Sequence, residues 1–121
     1  MPYLHVYGYN LVYDRWGEGS PCVLIGYAAD DWAGCDLPPG RRYVAVDLPG
    51  HGRSEGDAGL ADDELAEYLV SFLMLQHLTE AELWVHPRAR AIGDYLSERL
   101  SLDVSPAPGC SEASLEDRAD S

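Results

Sequence analysis

The sequence contains no lysine, only three cysteines and no long apolar run. No stretch approaches the roughly 20 apolar residues that a membrane-spanning helix needs, and the N-terminus lacks the basic and apolar regions of a secretory signal. Cys22, Cys35 and Cys110 are odd in number and widely spaced, so they predict neither a disulfide framework nor a zinc site. We therefore expect a cytoplasmic protein with no membrane partner, in which Cys22, set in an apolar run, is a buried reduced thiol.

The charge is strongly one-sided. Twenty-one acidic residues against eight arginines give a formal net charge of −13 over 121 residues. Such a charge repels a phosphate backbone, so we expect no nucleic-acid partner. The hydrophobic fraction of 46% is nevertheless ordinary for a globular chain. We expect one folded domain over residues 1–104, followed by a loose, acidic, Pro- and Ser-containing tail over residues 105–121 with one helical turn near Leu115.

Apolar periodicity predicts strands that alternate with helices along the chain. In order, the expected elements are a β-hairpin over 3–7 and 9–15, buried strands at 22–25 and 43–46, a helix over 61–77, a buried strand at 83–85, a helix over 87–100 and a stub strand at 102–104. This order indicates an α/β fold with a small, mostly parallel sheet, an N-terminal hairpin and helices on the faces of the sheet.

One motif lies in the loop after the second buried strand. Residues 47–54 read DLPGHGRS, with an apolar strand before them and a predicted helix after them. This arrangement resembles the α/β-hydrolase superfamily, in which a strand ending in D-x-P-G-x-G-x-S precedes a helix and then the strand of the nucleophile. The hairpin leading through GEGSP at 17–21 into an apolar strand is similar to the opening of that family. The resemblance covers about residues 3–100, corresponds to the family's N-terminal half and implies a truncated α/β-hydrolase-like fold.

The resemblance also implies where a nucleophile would stand. The family carries it in a G-x-S-x-G elbow after the next strand, and the matching residues here, 85–89, read VHPRA. Both glycines are missing, and Pro87 stands at the nucleophile position without a hydroxyl. Proline suits the first turn of an ordinary helix, not a strained elbow. In the family the acid and the histidine of the triad come from later strands, so we expect a non-catalytic protein with no cofactor and no metal.

Three loops are expected to meet at the carboxyl ends of the parallel strands, where sheets of this class bind ligands. The helix that begins at Pro87 adds free N–H groups and the positive end of its dipole. One hypothesis is therefore a crevice that binds a carboxylate, phosphate or sulfate group; the other is that these arginines pair with surface acids. The candidate ligand-binding residues are Tyr27, His51, Arg53, His86, Arg88 and Arg90.

Two further hypotheses stay open. A short sheet leaves the strand at 83–85 or the stub at 102–104 without its usual neighbours, and such an apolar edge favours a two-fold homodimer. Alternatively, the protein is an esterase-like hydrolase with a relocated nucleophile, Ser54 or Cys35. No base accompanies Cys35 in the local sequence, and His51 serves as a base only where a thiol or hydroxyl lies within reach.

Overall fold

In the computed structural model, which describes residues 2–110, six strands form one sheet. The strands are β1 (Tyr3–Val6), β2 (Tyr9–Trp16), β3 (Ser20–Ile25), β4 (Arg41–Val46), β5 (Glu82–Val85) and β6 (Val104–Pro106). Their spatial order is β1-β2-β4-β3-β5-β6. The pairs β1–β2 and β2–β4 are antiparallel, and the strands from β4 to β6 are parallel. The predicted α/β fold, with its mostly parallel sheet and N-terminal hairpin, is confirmed.

Two helices pack on the same face of the sheet. They are α1 (Asp62–Leu75) and α2 (Arg90–Arg99), and their apolar residues join one core cluster with the strands. Helix α1 ends before the predicted residue 77 because His77 takes a positive φ of 56°. Helix α2 is preceded by a 3-10 turn over Pro87–Ala89, which the prediction had counted as α-helix. Within the described residues neither helix has the length and apolarity to cross a bilayer.

The opposite face of the sheet carries a second, smaller apolar cluster. Trp32, Tyr43 and Trp84 are its aromatic members, and a 3-10 helix over Ala29–Gly34 covers part of it. The thiol of Cys22 lies in this cluster and is free and fully buried, as predicted. We call this group the second cluster.

Residues 105–110 do not form the expected loose tail. Strand β6 continues through Pro106 beside β5, and the N–H of Ala107 donates to the carbonyl oxygen of Val85 over 3.1 Å. The side chain of Ala107 is buried in the second cluster. Of the two alternatives for the open edge, the strand at 83–85 is excluded, because β3 and β6 flank it on its two sides. The stub strand is the other alternative, and as β6 it lies at the edge of the described sheet. The rest of the expected tail, with its helical turn near Leu115, lies outside the described residues.

A disulfide joins this segment to the 3-10 helix of the second cluster. Cys35 and Cys110 are bonded across 75 residues of sequence, and the N–H of Asp36 donates to the carbonyl oxygen of Gly109 over 3.1 Å. The absence of a disulfide expected from the cysteine count is thus wrong. The local spacing could not reveal this pair, because its two halves meet only through the tertiary fold.

Gly93 brings helix α2 close to strand β5. A Cβ atom at Gly93 would lie 2.9 Å from Cγ2 of Val85, closer than real side chains approach. The contact therefore needs a residue without a side chain, and it seats the helix directly behind the strand that leads to His86.

Replacing Gly93 with alanine is expected to lower the free energy of unfolding by about 1–3 kcal/mol, because the new methyl group overlaps a stiff β-branched side chain. This sign is opposite to the helix preference, which favours alanine by about 1 kcal/mol. Urea denaturation followed by circular dichroism measures the change. Ala91→Gly, at an exposed position of α2, is the matched control for helix preference alone. A Gly93→Ala protein more stable than wild type would contradict the close packing.

Candidate ligand-binding site

The loops after β3, β4 and β5 meet at the carboxyl ends of these strands. The N–H of Leu48 donates to the carbonyl oxygen of Tyr27 over 2.9 Å, and the N–H of His86 donates to that of Ile25 over 2.9 Å. The residues that these loops bring together are called the strand-end crevice, after the predicted site, and are Tyr27, Asp31, His51, Asp62 and Arg88.

A carboxylate of the protein itself occupies the hydrogen-bond donors of the crevice. Oδ2 of Asp31 accepts from the backbone N–H of Tyr27 over 2.9 Å and from that of Ala28 over 3.3 Å. Its Oδ1 lies 3.2 Å from Nη1 of Arg88. Asp31 is 6% exposed, so these donors compensate the loss of water around a buried charge. The sequence analysis missed Asp31, and its only signal was its place in the first turn of a short helix.

Tyr27 supplies a neutral hydrogen-bond donor to the crevice through its hydroxyl group. Its hydroxyl donates to Oδ1 of Asp62 over 2.7 Å, at the start of α1, and its ring lies 5.1 Å from that of His51. Burial and the hydrogen bond to Asp62 raise the pKa of Tyr27 to about 12. His51 donates through Nδ1 to the carbonyl oxygen of Pro49 over 3.0 Å.

Arg53 is committed to an ion-pair network next to the crevice. Its Nε and its backbone N–H both donate to Oδ2 of Asp47 over 2.8 Å, while Nη1 and Nη2 reach Asp14 on β2 over 3.2 and 3.1 Å. The other oxygen of Asp47 accepts from the N–H of Ala29 over 2.7 Å. The first residue of the DLPGHGRS motif therefore ties together the loops after β3 and β4. The guanidinium group is held between the two aspartates, which is the surface-acid pairing weighed above.

Burial alone would raise the pKa of the Asp47 carboxyl. Hydrogen bonds from the Arg53 side chain and from the backbone N–H groups of Ala29 and Arg53 outweigh burial, so the net shift of the pKa is downward.

The hydroxyl of Ser54 has a partner in each direction. It accepts from the N–H of Val12 over 2.7 Å and donates to the carbonyl oxygen of Asp47. A serine nucleophile needs a base to take its proton, whereas this proton is directed at a backbone carbonyl. Ser54 therefore braces the loop against β2.

The turn at the nucleophile position is relaxed, as Pro87 predicts. His86 has an extended conformation with φ −72° and ψ 144°, and Pro87 starts the 3-10 turn. None of the residues 85–89, all of which the structure describes, has a positive φ. The N–H of Arg88 donates to Nδ1 of His86 over 3.0 Å, so the His86 side chain caps the start of the turn. An elbow that lifts a side chain off the sheet would need a strained backbone here.

His86 is buried on the side of the second cluster. Its ring packs edge-on against Trp32 with centroids 5.2 Å apart. One of its ring nitrogens and the sulfur atoms of Cys35 and Cys110 lie within 4.8 Å of one another. Two thiolates and an imidazole suit a soft metal, but here the sulfur atoms are bonded to each other. No local sequence pattern indicates this cluster, because its members are 51 and 24 residues apart.

The predicted site residues thus divide into separate environments. Tyr27, His51 and Arg88 line the crevice. Arg53 faces Asp47 and Asp14, and His86 belongs to the disulfide side. Arg90 is exposed and borders a cleft between α2 and β6.

Asp47→Asn is expected to lower the free energy of unfolding by roughly 2–4 kcal/mol near neutral pH, because a buried acceptor of charged hydrogen bonds is weakened. The lowered pKa fixes the sign of the pH dependence. The stability that Asp47 supplies is present above its ordinary pKa of 3.8 and is lost as the pH falls through the lowered folded-state value. The difference between wild type and Asp47→Asn should therefore shrink in acid, as urea titrations at several pH values would record. Asp14→Asn, in the exposed half of the network, should cost only about 0–1 kcal/mol. A difference that grows in acid would refute this assignment.

Comparisons with known proteins show which fold this geometry belongs to. No model of a known protein family matches the sequence, and no curated protein matches it. Among solved structures, TT1977 is 36% identical with a TM-score of 0.79, and the match covers 98% of this chain and 94% of that one. Est816, an N-acyl homoserine lactone degrading enzyme, is 25% identical with a TM-score of 0.69 over 85% of this chain and 42% of its own.

An α/β hydrolase fold protein from Burkholderia ambifaria shows the same fold at 18% identity, with a TM-score of 0.73 over 85% of this chain and 40% of its own. The chain therefore spans about two-fifths of the length of the two larger proteins, while it matches TT1977 almost end to end. On its strand order, its DLPGHGRS loop and these similarities, the chain has a truncated α/β-hydrolase-like fold.

Proposed function

We propose that this chain is a non-catalytic α/β-hydrolase-fold protein whose strand-end crevice binds a small anionic ligand, of which a carboxylate is the simplest. The observation that carries the proposal is the Asp31 carboxylate, held by two backbone N–H groups and by Arg88. These donors already bind an anion within the folded chain, so their geometry suits a carboxylate.

The lack of hydrolytic chemistry is supported by the candidate nucleophiles. Pro87 has no hydroxyl and lies in a relaxed turn. The Ser54 hydroxyl is hydrogen-bonded to backbone on both sides, and Cys35 is in a disulfide. In α/β hydrolases an N–H group of the loop that corresponds to the one after β3 helps to stabilise the oxyanion. Here the carboxylate of Asp31 already accepts the N–H groups of Tyr27 and Ala28 in that loop. While Asp31 stays bound there, a second negative charge such as an oxyanion would be repelled.

A ligand carboxylate would bind by exchange with Asp31. Arg88 allows this, because its side chain is 40% exposed. Asp31 is tethered next to its donors and therefore competes at a high effective concentration. We expect roughly millimolar affinity for simple carboxylates in the wild-type protein.

The test is a thermal-shift series with acetate, formate, phosphate and sulfate at fixed ionic strength. Wild type should gain a small anion-specific rise in Tm. Asp31→Ala should have a lower Tm, because it leaves Arg88 and the two N–H groups without their carboxylate. Acetate or formate should then restore more of its Tm than either adds to wild type. Arg88→Gln should abolish the anion-specific rise in Tm. Arg53→Gln, which breaks only the neighbouring ion-pair network, should lower Tm itself but leave the anion-specific rise intact.

Two results would count against the proposal, and they are distinguishable. If no anion stabilises wild type while acetate rescues Asp31→Ala, the donors are assigned correctly but the crevice has no external ligand. If acetate fails to rescue Asp31→Ala, the donor set itself is wrong.

Self-association is a second candidate, favoured by the apolar surface along β1. Tyr3 and Tyr7 at the edge strand, with Met74 and Leu75 on α1, are each more than half exposed. The groove between these elements has no acidic lining residue, in a chain of net charge −13. The other end of the described sheet is less suited, since β6 is short and Pro106 offers no N–H for pairing. We propose a two-fold homodimer through β1.

Light scattering at micromolar concentration should then give twice the chain mass of 13.3 kDa. Tyr7→Glu should shift the protein to monomer by adding charge to the shared surface, while Leu100→Glu, on the exposed end of α2, should leave the dimer intact. A wild-type monomer at these concentrations would remove this proposal without affecting the ligand site.

A further inference from the structure

The disulfide between Cys35 and Cys110 has a buried imidazole beside it. One ring nitrogen of His86 and the two sulfur atoms lie within 4.8 Å of one another. His86 is almost fully buried, whereas both cysteines are half-buried at the border of the second cluster. A polar ring beside the disulfide distinguishes it from a structural disulfide surrounded by apolar side chains alone.

We propose that Cys35, Cys110 and His86 form a thiol–disulfide exchange site, in which the imidazole N–H of His86 stabilises the thiolate that leaves when an external thiol attacks the disulfide. The site belongs to the second cluster and does not depend on the anion site proposed above.

The fold fixes which nitrogen of His86 can donate. Nδ1 accepts the N–H of Arg88 over 3.0 Å, so in the neutral ring the hydrogen is on Nε2. A neutral imidazole in this state does not give up its last proton, but it donates a strong hydrogen bond to a sulfur anion. The same tautomer disfavours a metal at Nε2, because metal-bound histidines usually donate a hydrogen bond from their other nitrogen. The geometry therefore points to sulfur exchange and not to a zinc centre.

The reaction balances with a thiol reductant as the second substrate. A thiolate of the reductant attacks one sulfur atom, the Cys35–Cys110 bond breaks, and the other cysteine leaves as a thiolate that accepts the N–H hydrogen bond from His86. A second thiol of the reductant attacks the mixed disulfide and releases the first cysteine. The cysteine released in this second step takes the proton of the second thiol, while the cysteine beside His86 stays a thiolate; the two cysteines together gain two electrons, and the reductant is oxidised to its own disulfide. The substrate class is thus a small-molecule or protein thiol.

Cys22 provides an internal control in the same cluster. It is fully buried, and burial raises the pKa of its thiol to about 12, with the Glu82 charge adding to this effect. Its thiol stays protonated near neutral pH and does not compete in exchange.

The experiment measures reduction of the folded protein by dithiothreitol and by glutathione. Samples are quenched with acid, unfolded and alkylated, and the intact mass is measured by mass spectrometry. Oxidised chains then carry one alkyl group and reduced chains carry three. His86→Met, which keeps the bulk but has no N–H donor, should slow reduction about tenfold, as expected for the loss of one charge-assisted hydrogen bond. His86→Gln keeps a donor and should recover most of the rate. His77→Asn, at a histidine outside the cluster, should match wild type.

Two further measurements separate this role from a structural one. In denaturant all four proteins should be reduced at one rate, because the imidazole is then no longer next to the sulfur atoms. Reduced wild type should also show an ultraviolet thiolate band at neutral pH that Cys35→Ser or Cys110→Ser removes, and this readout does not depend on the folding of the His86 variants.

Equal reduction rates for wild type, His86→Met and His86→Gln would overturn the proposal, as would the absence of a thiolate band in the reduced wild type. Stoichiometric binding of Zn²⁺ by the reduced protein, with protection of both cysteines from alkylation, would assign a metal centre and overturn it as well.

Discussion

The arrangement of the loops at the strand ends depends on the hydrogen bonds and the ion pair of one buried carboxylate, that of Asp31. A charge this far from water has to be paired, and its partners are two backbone N–H groups after β3 and the guanidinium of Arg88 after β5. Asp31 therefore holds two loops that are distant in sequence against each other. It also neutralises Arg88, and Asp62 adds a second carboxylate to the crevice, so an external anion has to displace Asp31 in order to bind there.

Pro87 has consequences beyond the loss of a hydroxyl. By starting an ordinary helical turn, it directs the N–H of Arg88 toward Nδ1 of His86. That hydrogen bond sets the tautomer of a histidine that faces the disulfide across the second cluster. The turn that begins at Pro87 thus orients an imidazole toward the disulfide. Gly93 contributes to the same arrangement, since it lets α2 pack directly on β5.

Sequence reasoning was effective where short-range patterns decide the structure. Continuous apolar runs located the buried strands, the 3.6-residue period located α1 and α2, and the DLPGHGRS loop indicated the superfamily. It was weaker where the tertiary fold decides. The Cys35–Cys110 bond and the Asp31–Arg88 pair join residues that are 75 and 57 positions apart, and no local pattern relates them. The prediction assigned Arg53 and His86 to the correct loops, but their side chains do not line the crevice. Arg53 pairs with Asp47 and His86 lies on the side of the second cluster, and only the tertiary packing determines these partners.

Hydrolysis of p-nitrophenyl acetate by the purified, oxidised protein and by Pro87→Ser shows whether the turn after β5 can carry a hydrolytic nucleophile. Both proteins should react no faster than buffer, because the introduced hydroxyl would lie in a relaxed turn, with Asp31 holding the donors beside it. Multiple turnovers by the wild-type protein, lost when Ser54 or residues around position 87 are altered, would contradict this expectation.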